Sequence, residues 1–487
     1  MPSLASLSDD ALRRWGEGTL IAILAGSLVV TGVVIWRVPD AAPLLPLGLL
    51  AILGAGMLFR HPRLNFILWL GGLALLLSSD EGIQLHEALY GLYFYGYLMY
   101  WYGRRVLLYR SRFVRGLEDQ TALLLIVFGL LGGIALGLLF GADPMRLRGE
   151  TLAFSLLALY FPVKEFVVRE KKGPLIVLGL ITWIGLYVTV DNALYTQRAF
   201  AEATAVWEIA DVRIAGRELL LVFSALLLLA LTSTVRGAKH TLVTMSLLAI
   251  VLAGLILTKS RAFWVAFLLG AAVLMLLVRG DDRRRLLLRS AGGALAFLVV
   301  AYILIGPYLY LMVSGILNRF ATLSAATTDI SLVNRIEEAK AVAARARLNP
   351  VLGYGFGTTY SFFNLTYWLT DTKSYIHNGY IAVWYKLGLW GVVLIGLLWG
   401  SVLRQALRLC RQVTLPPFYR ALASGTAACL LCLVLPVYTT SVFFEDEKLS
   451  AFALVAALTM GIAQRFEKQS QRLPEKLSSV ASSPRHL

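Results

Sequence analysis

Two arginines and a histidine, Arg261, Arg335 and His377, are the residues of this chain best suited by type and setting to chemistry on an anion. Arg261 stands in the tight turn Thr258-Lys259-Ser260-Arg261 between two long apolar runs, where a guanidinium is costly unless it has a partner. Arg335 lies in Asn334-Arg335-Ile336-Glu337, whose spacing predicts a capping box with Asn334 as N-cap and Glu337 at the third helical position. A cation at a helix start opposes the macrodipole, and it makes better sense if it joins the free N–H groups there in holding an anion. His377 opens an apolar run, and a neutral imidazole at a water–lipid boundary can accept a hydroxyl proton. Each residue also has a plainer reading: a solvated loop charge for the arginines, a hydrogen-bonded interfacial side chain for the histidine. His377-Asn378 is nevertheless followed by nine residues and then Gly388-Leu389-Trp390-Gly391, giving one helix a polar tip and a close-packing waist.

The elements that must position these groups are membrane spans. Hydrophobic residues make up 58% of the chain and charged residues 15%, and the mean hydropathy is +0.72. Apolar runs of roughly 17–22 residues are long enough to cross a hydrocarbon layer of about 30 Å as helix. Sustained period-two alternation is absent, which argues against an outer-membrane barrel and leaves a helical bundle. The expected fold is all-α: a polytopic transmembrane bundle of about 14 spans (12–14), with a long outer, periplasmic loop containing short amphipathic helices. The spans are placed near 19–36, 41–59, 64–78, 83–102, 121–141, 150–168, 174–190, 218–235, 241–257, 262–278, 291–310, 377–400, 419–441 and 449–465. The third is short and could be re-entrant. The implied organisation is a cytoplasmic N-terminus (1–18), an N-terminal bundle (19–310), a periplasmic loop domain (311–376), C-terminal spans (377–465) and a disordered cytoplasmic tail (466–487). The first run follows Arg13 and Arg14 but ends without a small-x-small cleavage site, so it reads as a retained span.

The net charge of +16 would suggest nucleic acid in a soluble protein. In a bundle it is better explained by basic loops meeting anionic membrane lipids, and no nucleic-acid partner is expected. With the N-terminus inside, roughly 29 lysines and arginines fall in cytoplasmic segments and roughly 15 outside, consistent with the positive-inside rule. Both termini are then cytoplasmic in an inner membrane, and the candidate residues face the periplasm. Two outer segments, about 191–217 and 311–376, exceed what a connector needs, and long loops often carry function. In the second, Ile336, Ala339, Ala343 and Ala346 share a helical face with Glu338 and Arg345 off it. Asn349-Pro350 ends that helix, and Gly353, Gly355 and Gly357 predict a flexible loop. Lys386 is the clearest charge deep in a span and has no acidic partner along the same span. The pair Cys429-x-x-Cys432 lies inside an apolar run and reads as packing.

Three patches resemble the bacterial O-antigen ligase and O-antigen polymerase superfamily: Ser260-Arg261-Ala262, Arg335 with Asn349-Pro350-Val351-Leu352-Gly353-Tyr354-Gly355, and His377-Asn378-x9-Gly388-x2-Gly391. They cover roughly 255–400; the N-terminal half is similar only in being a string of spans. The resemblance implies a glycosyltransferase that works without metal or cofactor and transfers a glycan from an undecaprenyl-diphosphate carrier on the periplasmic side. It implies Arg261 and Arg335 as diphosphate-binding residues and His377 as the base for the acceptor hydroxyl. No Asp-x-Asp and no outer His or Cys cluster suggests a metal site.

Lys259, Arg213, Arg217, Asn378 and Tyr354 are further candidates for substrate contact. Glu218 or Asp211 could equally neutralise the two arginines, and the loop aromatics, Tyr354 among them, suit an interfacial belt as well as sugar stacking. The acceptor reading divides between an O-antigen or exopolysaccharide polymerase, which is favoured, and a ligase using a lipid A-core sugar. A transporter of an anion or lipid-linked saccharide is the alternative from another class. Against it stand the missing repeat and the outer clustering of the candidates.

Overall fold

The computed structural model describes residues 61–77, 85–108, 113–202, 217–295 and 330–481. The chain divides into two compact units, Met1–Gly72 and Leu73–Leu487. In the first, the described part is the short helix α1 (Pro62–Gly71), opened by a proline and carrying a tilted Phe66–Trp69 pair at 5.7 Å. The expected spans at 19–36 and 41–59 and most of 291–310 lie outside the described residues.

The second unit is helical, as expected. Its described helices include α2 (Leu85–Gly103), α3 (Leu117–Leu139), α4 (Pro144–Arg169), α5 (Gly173–Glu202), α6 (Glu218–Thr232), α7 (Ala238–Leu257), α8 (Arg261–Leu277), α9 (Ile330–Ala346), α10 (Gly379–Arg411), α11 (Pro417–Cys432) and α12 (Asp446–Ala481). Among the described residues, seven helices are long and apolar enough to cross a membrane: α3, α4, α5, α7, α10, α12 and α11 with its extension to Thr439. The shorter apolar helices α6 and α8 coincide with two more expected spans. A polytopic helical membrane protein follows.

Burial identifies the centre. Every residue of α6 is buried, as expected of a helix that is apolar all round and enclosed by others. It packs on α5, α7, α8, α11 and α12, while α12 lies along α4 and α10 along α3. Cys429 and Cys432 are buried on α11, the former with its thiol 3.8 Å from the Phe223 carbonyl oxygen, so their role is packing.

Several expectations change. The segment from 191 begins as helix, because α5 runs on to Glu202, and the polar tail from 466 continues α12 as far as Ala481. The loop before α10 contains an antiparallel hairpin, β1 (Tyr360–Asn364) and β2 (Leu369–Lys373), with Tyr360 opposite Lys373 and Asn364 opposite Leu369. Its first strand alternates buried and exposed residues, so one face of Tyr360, Phe362 and Asn364 turns inward.

The largest departure is the glycine loop. Gly353, Gly355 and Gly357, expected to form a flexible loop, lie in a stretch, 353–358, that is buried throughout. Helix α10 is interrupted at Gly388, whose φ of 66° and ψ of −168° are non-helical. The interruption frees backbone groups that a spanning helix would bond internally, and inside a membrane they need other partners. The loop supplies them. The amides of Tyr354 and Gly355 donate to the carbonyls of Tyr385 and Lys386 at 2.8 and 2.9 Å, and Leu389 N donates to the Pro350 carbonyl at 2.9 Å. On its other side, Phe356 N donates to the Gly133 carbonyl of α3 at 2.8 Å. The fit depends on missing side chains. A Cβ on Gly355 would lie 2.0 Å from Gly137 N, and one on Gly388 2.0 Å from the Val351 carbonyl oxygen.

Lys386 also changes. It has no acidic partner along α10, but its ammonium lies 2.7 Å from both carboxylate oxygens of Glu150 on α4.

Gly388→Ala combines a left-handed backbone position with that overlap. It is expected to cost on the order of 2 kcal/mol or more and to lower the thermal midpoint of the detergent-purified protein by several degrees. Native thermal unfolding of this variant would show that the inserted loop is dispensable.

Candidate functional site

His377 immediately precedes Asn378, the N-cap of α10, whose side chain accepts from Ile381 N at 3.2 Å and so fixes where the helix starts. The imidazole is thereby held at the helix entrance, with its side chain 33% exposed, against Glu338 at 3%. His377 Nδ1 is 2.6 Å from Glu338 Oε2, and the His377 backbone N–H donates to Glu338 Oε1 at 3.2 Å. Tyr360, on β1, donates its hydroxyl to the same Oε1 and lies 2.5 Å from the Tyr375 carbonyl oxygen.

The charge state follows from this set. Burial alone would push the Glu338 carboxyl upward, but the hydrogen bond and charge of His377, with the Tyr360 hydroxyl and the His377 amide, hold it below its ordinary value. An ionised carboxylate only accepts, so His377 Nδ1 is the donor of this pair, and in the neutral ring Nε2 is then the acceptor. Tyr360 is driven the opposite way, first by burial and then by the adjacent Glu338 charge, and stays a hydroxyl donor. The arrangement orients the ring and stabilises the imidazolium that forms when Nε2 takes a proton, the work done by the carboxylate of a Ser-His-Asp triad.

The sequence does not single out Glu338, because Ile336, Ala339, Ala343 and Ala346 suggest a different buried face. In the structure Glu338, Val342 and Ala346 are the buried row of α9, whereas Ile336 is 43% exposed. The signal was available as an i, i+4, i+8 row, but it asks for a carboxylate on an apolar face. That is acceptable only because three donors meet it.

The expected N-cap is also displaced. Helix α9 is already formed from Ile330, so Asn334 is interior. Its side chain instead binds the hairpin, donating to Asn364 Oδ1 at 3.0 Å and Thr366 Oγ1 at 2.6 Å and accepting from Leu365 N at 2.7 Å. Arg335 therefore sits one turn before Glu338 within the helix, and the argument from a helix start does not apply to it.

That argument applies to Arg261, which is the first residue of α8. The preceding turn is tight, with Lys259 in the left-handed region at φ 50° and Ser260 N bonded to Thr258 Oγ1 at 3.3 Å. Phe263, one turn into α8, underlies the Lys448 ammonium at 5.7 Å, and Lys448 pairs with Glu445. Glu445 accepts from the Tyr375 hydroxyl at 3.1 Å, and the Tyr375 ring meets that of His377 edge-on at 5.0 Å. A chain of contacts thus joins the start of α8 to the histidine, and Arg335 lies on α9 three residues before Glu338, the partner of His377.

The lesser candidates separate. Arg217 is buried at the N-cap of α6 and paired with Asp191 of α5, with Nη2 lacking a hydrogen-bond partner. Arg213 lies outside the described residues. Tyr354 is buried in the inserted loop, stacked on Tyr385 at 5.1 Å and bonded to the Arg345 carbonyl at 3.1 Å. Of the other loop aromatics, Phe356, Tyr360 and Phe362 are buried, and Phe363, Tyr367 and Trp368 are exposed around the hairpin tip.

The lowered carboxyl of Glu338 has a pH consequence. A group whose folded value is depressed stabilises the fold above its ordinary range, about 4.3 for glutamate, and that stability is lost as pH falls through the folded value. The thermal midpoint of the native protein should therefore decline below about pH 4.3 more steeply than that of Glu338→Gln. Parallel curves would show that Glu338 is not held ionised by its neighbours.

Residues 246–396 match the family model described as O-antigen ligase. The matched stretch runs from α7 to beyond the break in α10 and contains Arg261, Arg335, Glu338 and His377. No curated protein matches the chain. The match supports the O-antigen ligase and polymerase superfamily, and with it glycosyl transfer of the ligase or polymerase type by an integral membrane protein using a lipid-linked glycan and an acceptor.

Proposed function

We propose that this chain transfers a glycan from an undecaprenyl-diphosphate carrier to a sugar hydroxyl, without metal, at the periplasmic face of a bacterial inner membrane. The observation that carries this reading is the buried Glu338 fixing His377 at 2.6 Å, on the same helix that presents Arg335 one turn away.

In the reaction the acceptor hydroxyl oxygen attacks the anomeric carbon. Its proton passes to His377 Nε2, and the bond from that carbon to the diphosphate oxygen breaks with its electron pair on the leaving group. Charge thus develops at two places. The imidazolium is met by Glu338, and the departing diphosphate by the guanidiniums of Arg261 and Arg335, which stabilise the transition state more than the ground state. Arginine suits this role because its planar donors bind phosphate oxygens in pairs and stay charged. Two guanidiniums supply the positive charge that a divalent ion supplies in many phosphate-handling enzymes.

Polymerisation, with another carrier-linked chain as acceptor, is the favoured reading, since the long loop before α10 gives room to engage an extended glycan. The description of the matched family favours a ligase acting on a lipid A-core sugar as the second reading. Purified protein offered carrier-linked repeat units alone or with lipid A-core separates the two by product.

Removing the base should lower turnover of His377→Ala by about 10²–10⁴-fold while changing donor binding little. Arg261→Ala and Arg335→Ala should each lower turnover at least 10²-fold, with normal membrane insertion. Wild-type turnover in His377→Ala would remove the general-base role. Activity should persist in excess chelator; loss restored by a divalent ion would overturn the metal-free mechanism.

A further inference from the structure

Glu150, on α4, is bonded to two other parts of the chain. Both its oxygens lie 2.7 Å from Lys386 Nζ, and Oε2 also accepts from the Gly357 backbone N–H at 2.9 Å. Lys386 is 1% exposed and lies under Phe444, its ammonium 5.7 Å from the ring. It is seven residues into α10, about 10 Å below the helix start at 1.5 Å per residue.

An ion pair this deep is a weak stabiliser, because desolvation offsets much of the attraction and packed apolar residues often hold two helices as well. What an apolar pair could not do is accept the Gly357 N–H. Three residues beyond Gly357 stands Tyr360, which bonds Glu338. The intervening chain is held at Thr359, whose carbonyl accepts from the Tyr385 hydroxyl at 2.9 Å, one residue before Lys386 on α10. The carboxylate thus sits where α4, α10 and the loop leading into β1 meet.

We propose that Glu150 is a positioning residue of the transfer reaction, its carboxylate held by buried Lys386 so that it clamps the Gly357 amide and fixes Tyr360 against Glu338 and His377. This rests on the assignment of His377 as the base. Glu150 touches neither substrate nor reacting atoms; it acts through the loop.

Two double variants separate the clamp from the ion pair. Glu150→Gln with Lys386→Met removes both charges but leaves a carbonyl oxygen to accept from Gly357. Glu150→Leu with Lys386→Met removes the acceptor as well. The first should keep kcat within about fivefold of native and the second should lose at least about 30-fold, with donor KM within about twofold in both and matching thermal midpoints. Because the effect runs through Glu338, adding Glu338→Gln to the second variant should cost less than about threefold more. Equal impairment of both variants, native turnover in the second, or full additivity with Glu338→Gln would each overturn the clamp. Should the Leu/Met variant not fold, the Gln/Met variant decides alone. Native-like kcat and hydrogen-exchange protection across 353–364 support the clamp, and a loss beyond tenfold at a native thermal midpoint overturns it. His377→Ala is measured alongside: native turnover there removes the base assignment and the clamp with it, whereas inactivity there beside a fully active Leu/Met variant removes the clamp alone.

Discussion

The interruption of α10 at Gly388 is the constraint from which the site's geometry follows. A helix broken inside a bilayer exposes carbonyls and amides that lipid cannot satisfy. Here they are met by main chain from the segment 350–355. That exchange turns a loop into part of the bundle, seated between α3 and α10 by close backbone approach at Gly133, Gly137, Gly353 and Gly355. Irregular backbone at membrane depth is tolerated when protein encloses it, and residues 353–358 are enclosed.

From that anchor the order is continuous. The loop passes Gly357 and Thr359, both bonded to the bundle, into β1, where Tyr360 reaches Glu338. Helix α9 is fixed twice: at Asn334 by the hairpin turn and at Glu338 by Tyr360 and His377. His377 is fixed by the carboxylate on one side and by the capped start of α10 on the other. The base role proposed for His377 asks for a set ring orientation and tautomer before substrate arrives, and the groups that set them are themselves held.

Much of this was legible in the sequence because it is local. The spans announce themselves by apolar length, and the α9 stop by Asn349-Pro350. The prominence of Arg261 and His377 follows from polar residues placed at the ends of apolar runs. What could not be read is non-local. Whether Glu338 is solvated or buried depends on His377, 39 residues on. Whether Gly388 is a packing contact or a break depends on a loop that arrives from 350–355 to satisfy it. Asn334 illustrates the competition: its sequence neighbours offer a capping box, but the hairpin offers three hydrogen bonds, and helix formation from Ile330 leaves no free end to cap.

The wholly buried α6 carries a consequence for the charges at its end. Its 15 residues span about 22 Å at 1.5 Å per residue, less than a hydrocarbon layer of about 30 Å. The central pillar of the fold is thus shorter than such a layer, and the charges at its end, Arg217 and Glu218, are buried and met by Asp191 and Lys448 rather than by water. Removing either partner would strand a charge at a depth where no solvent can receive it.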